Sequence, residues 1–78
     1  MPTTTTRGDE LRAEAASEIE DARTFLAEAQ RLTDVSTDYR LGALKAHWAS
    51  GRFDSAASLL RAAEDADQAD HNRTRTTA

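Results

Sequence analysis

The sequence predicts an all-α fold of three antiparallel helices, and two observations carry this expectation. Apolar residues recur at intervals of three and four, which is the period of helices rather than strands. The pattern is interrupted twice, by a polar segment at 33–38 and by Gly51. Residues 1–8 and 71–78 contain almost no side chains that a core could bury. We therefore expect one helical domain over 9–70 between two disordered tails.

The first helix is predicted to run from Asp9 to Leu32. An acidic row on the side away from the core is expected to face solvent. The core stripe is expected to consist of Leu11, Ala15, Ile19, Ala22, Leu26 and Ala29. The acidic row is formed by Glu10, Glu14, Glu18 and Asp21.

Two further helices are predicted after the polar turn. Ser36 or Thr37 can cap a second helix over 38–50, because their hydroxyls accept hydrogen bonds from backbone N–H groups. Gly51 stands where a left-handed residue would end that helix, and Asp54 can cap a third helix extending to Ala69. The bulky face of the second helix carries Leu41, Leu44 and Trp48, and the stripe of the third carries Ala56, Leu59, Leu60, Ala63 and Ala66.

The predicted third helix repeats part of the first at an offset of 34 residues, pairing Ala22 with Ala56 and Leu26 with Leu60. With this period, the stretch Gly-Arg-Phe-Asp-Ser-Ala at 51–56 resembles the second half of a tetratricopeptide repeat. The resemblance covers residues 17–68, about one and a half repeats. The alternative is a plain three-helix bundle.

The tetratricopeptide resemblance implies a partner-binding site on the second helix. In that arrangement Leu41, Lys45 and Trp48 would point together towards the concave surface that the family uses for peptides. Trp48 would be the aromatic anchor and Lys45 would meet a carboxylate. The alternative is that Leu41, Leu44 and Trp48 simply form the core.

The material for a core is thin, because the chain has 16 alanines but only 13 residues among Leu, Ile, Val, Phe, Tyr and Trp. Alanine buries little apolar area, so the entropy of ordering the chain is barely offset. We therefore expect a domain that is marginally stable alone or that completes its core against a protein partner or a second copy.

The composition argues against several function classes. A net charge of −4 disfavours nucleic-acid binding. The absence of a long apolar run argues against a membrane segment or signal peptide, so a soluble cytoplasmic protein is expected. There is no cysteine and no phosphate-binding glycine loop, and His47 has no second ligand at a suitable spacing. We therefore expect no catalytic residue, metal, cofactor or small-molecule substrate.

The sequence thus favours a non-enzymatic module for protein interaction or assembly. The alternative is an acidic inhibitor or decoy, of the kind that a phage can encode, that presents the row Glu10, Glu14, Glu18 and Asp21 to a basic protein surface. A further alternative is a HEPN-like ribonuclease, because Arg40 and His47 resemble the arginine and histidine of that family, in which the pair acts on a phosphate across a dimer interface.

Overall fold

The computed structural model describes residues 5–76 as two α-helices, α1 (Arg7–Asp34) and α2 (Tyr39–Thr76), joined by a short turn. The all-α prediction is confirmed. The predicted number of helices is wrong, because the second and third predicted helices form one continuous helix of 38 residues. The connection spans only residues 35–38, so the two helices pack side by side as an antiparallel hairpin.

The helix break predicted at Gly51 does not occur. Gly51 is helical, no glycine among the described residues has a positive φ, and a Cβ built on Gly51 would meet no atom within 4 Å. A glycine inside a helix costs only about 1 kcal/mol relative to alanine. Buried Ala49 and Ala56 hold the helix against α1 on either side of Gly51, which is sufficient to keep the helix continuous.

The helical region is longer than the predicted domain of 9–70. Helix α1 begins at Arg7 because Thr6 forms a capping box with Asp9. The N–H of Asp9 donates to Thr6 Oγ1 at 3.1 Å, and the N–H of Thr6 donates to a carboxylate oxygen of Asp9 at 3.4 Å. The segment 71–76, predicted to be a disordered tail, continues α2. The predictions for residues 1–4 and 77–78 lie outside the described residues.

The turn between the helices is closed by backbone hydrogen bonds. The N–H of Val35 donates to the carbonyl of Arg31, and the N–H of Asp38 donates to the carbonyl of Leu32, both at 2.9 Å. Thr37 adopts a left-handed φ of 52°, which reverses the chain direction. Such a φ is unfavourable for a β-branched residue.

The residue that caps α2 is Asp38, not Ser36 or Thr37 as predicted. Its carboxylate accepts a hydrogen bond from the N–H of Leu41 at 3.1 Å, in the manner of an N-cap. The left-handed Thr37 still belongs to the turn, so the helix begins only at Tyr39.

The two helices meet along a seam of small residues that repeat every seven positions. Every member of this small-residue seam is buried, and among residues 5–73 Leu11 is the only large side chain that is buried with it. A seven-residue repeat is typical of a coiled coil, in which one row of each helix faces the other helix. The seam consists of Gly8, Ala15, Ala22 and Ala29 on α1 and of Gly42, Ala49, Ala56 and Ala63 on α2.

The glycines of the seam mark places where the helices approach closely. A Cβ on Gly42 would lie 3.1 Å from Thr33 Oγ1 and 3.4 Å from the carbonyl oxygen of Ala29. A Cβ on Gly8 would overlap the carboxylate of Asp67. The resulting hairpin is elongated and flat, with overall dimensions of 62 × 26 × 11 Å. Because the hairpin is only one helix thick, residues 5–76 form two broad faces and no core that is enclosed on all sides.

Candidate interaction surfaces

One broad face of the hairpin carries charged and aromatic side chains from both helices, and we call it the charged face. Lys45 is at its centre. The Nζ atom of Lys45 lies 2.8 Å from a carboxylate oxygen of Glu28, 5.6 Å from the ring centre of Phe25 and 5.1 Å from that of Trp48. The two rings meet edge to face, with 5.7 Å between their centres and 65° between their planes. The charged face is defined by Glu18, Phe25, Glu28, Lys45, Trp48 and Arg52.

The cluster around Lys45 joins the two helices. Phe25 and Glu28 belong to α1, whereas Lys45 and Trp48 belong to α2. Ammonium groups over aromatic rings and beside carboxylates are stabilised by the ring quadrupole and by Coulomb attraction. The cluster therefore specifies the register of the helices, and the charge of Lys45 is already paired with Glu28 of the same chain.

Arg52 and Glu18 form a second link across the charged face, with 3.1 Å between the guanidinium and a carboxylate oxygen. The hydrogen bond to Glu18 raises the pKa of Arg52 further above its ordinary value, so the guanidinium stays cationic. This pair lies in the same row as Phe25 and Lys45, one heptad away. The row beside the seam on this face is therefore polar as well as aromatic.

The structure places the three predicted partner-binding residues, Leu41, Lys45 and Trp48, on the same helix and along this face. Leu41 and Trp48 have 37% and 42% of their surface exposed. The side chain of Lys45 is only 22% exposed and already has a carboxylate partner in Glu28. A partner carboxylate would therefore have to displace Glu28.

The predicted acidic row is partly neutralised by arginines of the same chain. Glu10 pairs with Arg7 at 3.2 Å, and Glu18 pairs with Arg52. Glu14 and Asp21 are exposed. Two of the four carboxylates in the row therefore form ion pairs with arginines of the same hairpin.

A third polar link lies at the end of the hairpin distant from the turn. Arg12 donates hydrogen bonds to Asp9 and to Asp67, each at 2.6 Å, and so joins α1 to α2. The hydrogen bond from Arg12 and those involving Thr6 lower the pKa of the Asp9 carboxyl below its ordinary value. The hydrogen bonds with the carboxylates of Asp9 and Asp67 raise the pKa of Arg12.

The opposite broad face carries large apolar side chains, and we call it the apolar face. Most of its members stand four residues after a seam residue, and they are considerably exposed: Leu26 49%, Tyr39 65%, Phe53 40% and Leu60 45%. Leu26, Tyr39, Ala43 and Ala46 line one shallow groove beside the turn. The apolar face is defined by Ile19, Leu26, Tyr39, Ala46, Phe53 and Leu60.

The sequence reasoning missed the apolar face as a surface. It assigned Ile19 and Leu26 to the buried stripe of the first helix, together with Ala22. The structure buries Ala22 completely but leaves Leu26 half exposed. The seven-residue repeat of the small residues was a signal for a seam, but Ile19 and Leu26 are also seven residues apart, so the repeat alone did not show which row is buried.

The described residues contain no group of three or more His, Cys, Asp or Glu side chains arranged to hold a metal ion. His47 and Arg40 are exposed on α2, one heptad apart. Over residues 5–76 neither helix combines the length and apolar character needed to cross a membrane.

No protein-family model matches the chain, and neither a curated protein nor a solved structure shows significant similarity to it. The tetratricopeptide relationship stays a prediction. Two long helices neither support nor contradict it, although the turn that it placed at Gly51 is helical.

Proposed function

We propose that the protein is a non-enzymatic module for protein interaction or assembly, and that it acts through its apolar face. One observation supports this most: the hairpin exposes most of its large apolar residues and buries alanines. Among residues 5–73, seven hydrophobic residues are buried and six of them are alanines, whereas Leu26, Phe53 and Leu60 remain 40–49% exposed on one face.

The physical argument rests on the free energy of apolar burial. Removing apolar surface from water contributes about 25 cal/mol per Å², so a buried leucine or phenylalanine contributes about 1.5 to 3 kcal/mol. The hairpin alone does not gain this contribution from Leu26, Phe53 or Leu60. Contiguous exposed apolar patches on a soluble chain mark protein interaction sites. Covering the apolar face with a partner would therefore stabilise the fold and bind the partner in one step.

The acidic-inhibitor alternative has less support. Two of the four carboxylates in its row, Glu10 and Glu18, form ion pairs with arginines of the hairpin. The ribonuclease alternative also has little support, because exposed Arg40 and His47 are the only features that suggest it. A cytoplasmic location and the absence of catalysis remain part of the proposal.

Site-specific photo-crosslinking in the cells that produce the protein tests the proposal. A benzophenone side chain is placed at Ala43, which lines the groove of the apolar face, and in a matched variant at Ser17, which is exposed on the outer side of α1. We expect an adduct of defined mass from Ala43 and none from Ser17. Equal adducts from both positions, or no adduct from Ala43, would refute an interaction through the apolar face.

A further inference from the structure

We propose that the partner of the apolar face is a second copy of this chain, so that two hairpins pack face to face into a four-helix bundle. This inference rests on the proposed function, since it names the occupant of the same face. It follows from the charge distribution on the two broad faces, from the area of the apolar face and from the residue pattern of the helices.

The charge distribution decides which face is covered. The charged face has four ionised side chains close to the seam, namely Glu18, Glu28, Lys45 and Arg52. On the apolar face the row beside the seam has no charged residue from Ile19 to Thr33 on α1 or from Tyr39 to Leu60 on α2. Although these four groups form two ion pairs, removing them from water costs desolvation free energy that the attraction within a pair often does not repay, whereas burying apolar side chains is favourable.

At one end of the hairpin, the row on the apolar face is continued by charged residues. Arg12 of α1 and Asp67 of α2 occupy the next positions of the row and form an ion pair with each other. A central apolar patch that ends in charged residues has the arrangement of a protein interface, in which polar groups remain at the rim.

The area of the apolar face is comparable with that of a stable dimer interface. The stretch 39–60 of α2 is about 33 Å long at 1.5 Å per residue. Two helices packed side by side are about 20 Å wide with their side chains, so the face measures roughly 650 Å² in projection. A stable interface of standard size buries about 800 Å² on each partner.

The residue pattern is that of a bundle helix rather than of a two-stranded coiled coil. A two-stranded coiled coil needs only two apolar rows per heptad, whereas a helix of a bundle has a third, adjacent row. Ile19 and Leu26 supply this third row on α1, and Phe53 and Leu60 supply it on α2. A hairpin with an alanine seam leaves the third row uncovered, and a second hairpin covers it.

A second copy satisfies the symmetry that such a face requires. In a two-fold symmetric dimer the same patch lies on both sides of the interface, so it must be compatible with itself. The central row is uncharged, so two copies meet there without repulsion between like charges, although each chain has a net charge of −4. Its apolar side chains can then interdigitate across the two-fold axis.

Sedimentation equilibrium of the purified full chain tests the inference, with loading from about 1 to about 100 µM, a range that covers micromolar dissociation constants. We expect a species of twice the 8.5 kDa chain mass. Phe53→Glu should raise the dimer Kd at least ~30-fold, as loss of an interface hot spot does. Leu41→Glu is the matched control, because Leu41 is 37% exposed along the charged face and lies outside the Lys45 cluster, whereas Phe53 is 40% exposed on the apolar face. Its Kd should change less than ~3-fold.

Each alternative result has a distinct meaning. A wild-type chain that is monomeric throughout the range overturns self-association, whether it is helical or unfolded by circular dichroism. Dissociation by Leu41→Glu but not by Phe53→Glu overturns the choice of face. If Phe53→Glu unfolds, Phe53→Ala removes the ring without adding a charge and should still raise the dimer Kd while the chain stays helical. A helical Phe53→Ala chain with an unchanged Kd also counts against the inference.

The crosslinking experiment separates failure of this inference from failure of the proposed function. An adduct of Ala43 with a different protein, together with a monomeric purified chain, would leave the interaction module standing and remove the homodimer. An adduct with the mass of two chains is the result expected for the dimer.

Discussion

Replacing Gly51 with alanine should stabilise the protein by about 1 kcal/mol. Gly51 lies inside α2 with a helical φ, and a Cβ at this position would meet no atom within 4 Å. The substitution therefore introduces no steric contact. It lowers the conformational entropy of the unfolded chain and gives the helix its most favourable residue, which together contribute about 1 kcal/mol in a helix interior.

The measurement is urea unfolding followed by far-ultraviolet circular dichroism, at one fixed protein concentration because self-association shifts the midpoint. In thermal unfolding the same change corresponds to a midpoint increase of about 4 to 8 °C for a chain of this size. Gly42→Ala is the matched control. Its Cβ would lie 3.1 Å from Thr33 Oγ1, so the same gain in helix propensity is opposed by crowding, and the increase should be smaller.

The opposite sign at Gly51 would refute the continuous helix. If Gly51 were the left-handed end of a shorter helix, an alanine there would incur a strain of about 1 to 2 kcal/mol. Destabilisation by Gly51→Ala would therefore restore the three-helix interpretation and contradict the two-helix hairpin.

Three further predictions concern the seam and the polar links. Ala22→Leu in the fully buried seam should lower the free energy of unfolding by about 1 to 3 kcal/mol through overpacking. Ala27→Leu at an exposed position is the control and should change it by less than about 0.5 kcal/mol. Equal effects of the two substitutions in urea unfolding would contradict the burial of Ala22 in the seam. Lys45→Met should lower the free energy of unfolding by up to about 1 kcal/mol at low salt and by less at high salt, because salt screens the ion pair of Lys45 with Glu28. A loss of stability that does not depend on salt would refute an electrostatic role. The pKa of the Asp9 carboxyl is lowered in the folded state, so the ionised carboxylate contributes to folding stability above the unfolded pKa of about 3.9, and this contribution disappears as pH falls through the folded pKa. The difference in unfolding free energy between wild type and Asp9→Asn should therefore vanish in acid. A difference that persists there would exclude this linkage.

The sequence by itself determined the helical class and most of the first helix. Apolar spacing of three and four specifies helices locally, and the polar segment before Tyr39 interrupts it strongly enough to be recognised as a turn. The thin core was also evident, since residue counts limit the apolar area that any fold of this chain can bury. Helical spacing also places Leu41, Lys45 and Trp48 on one side of α2, and their role in binding a partner stays a prediction.

Only the tertiary structure decided whether the chain breaks at Gly51 and which apolar residues are buried. A glycine is compatible with both a helix end and a helix interior, and the difference of about 1 kcal/mol is decided by packing against α1. The single-helix pattern cannot distinguish Ala22 from Leu26, since both lie on the apolar side. Close approach of two backbones selects the small residues for the seam and leaves Leu26 exposed, because a larger side chain in the seam would force the helices apart.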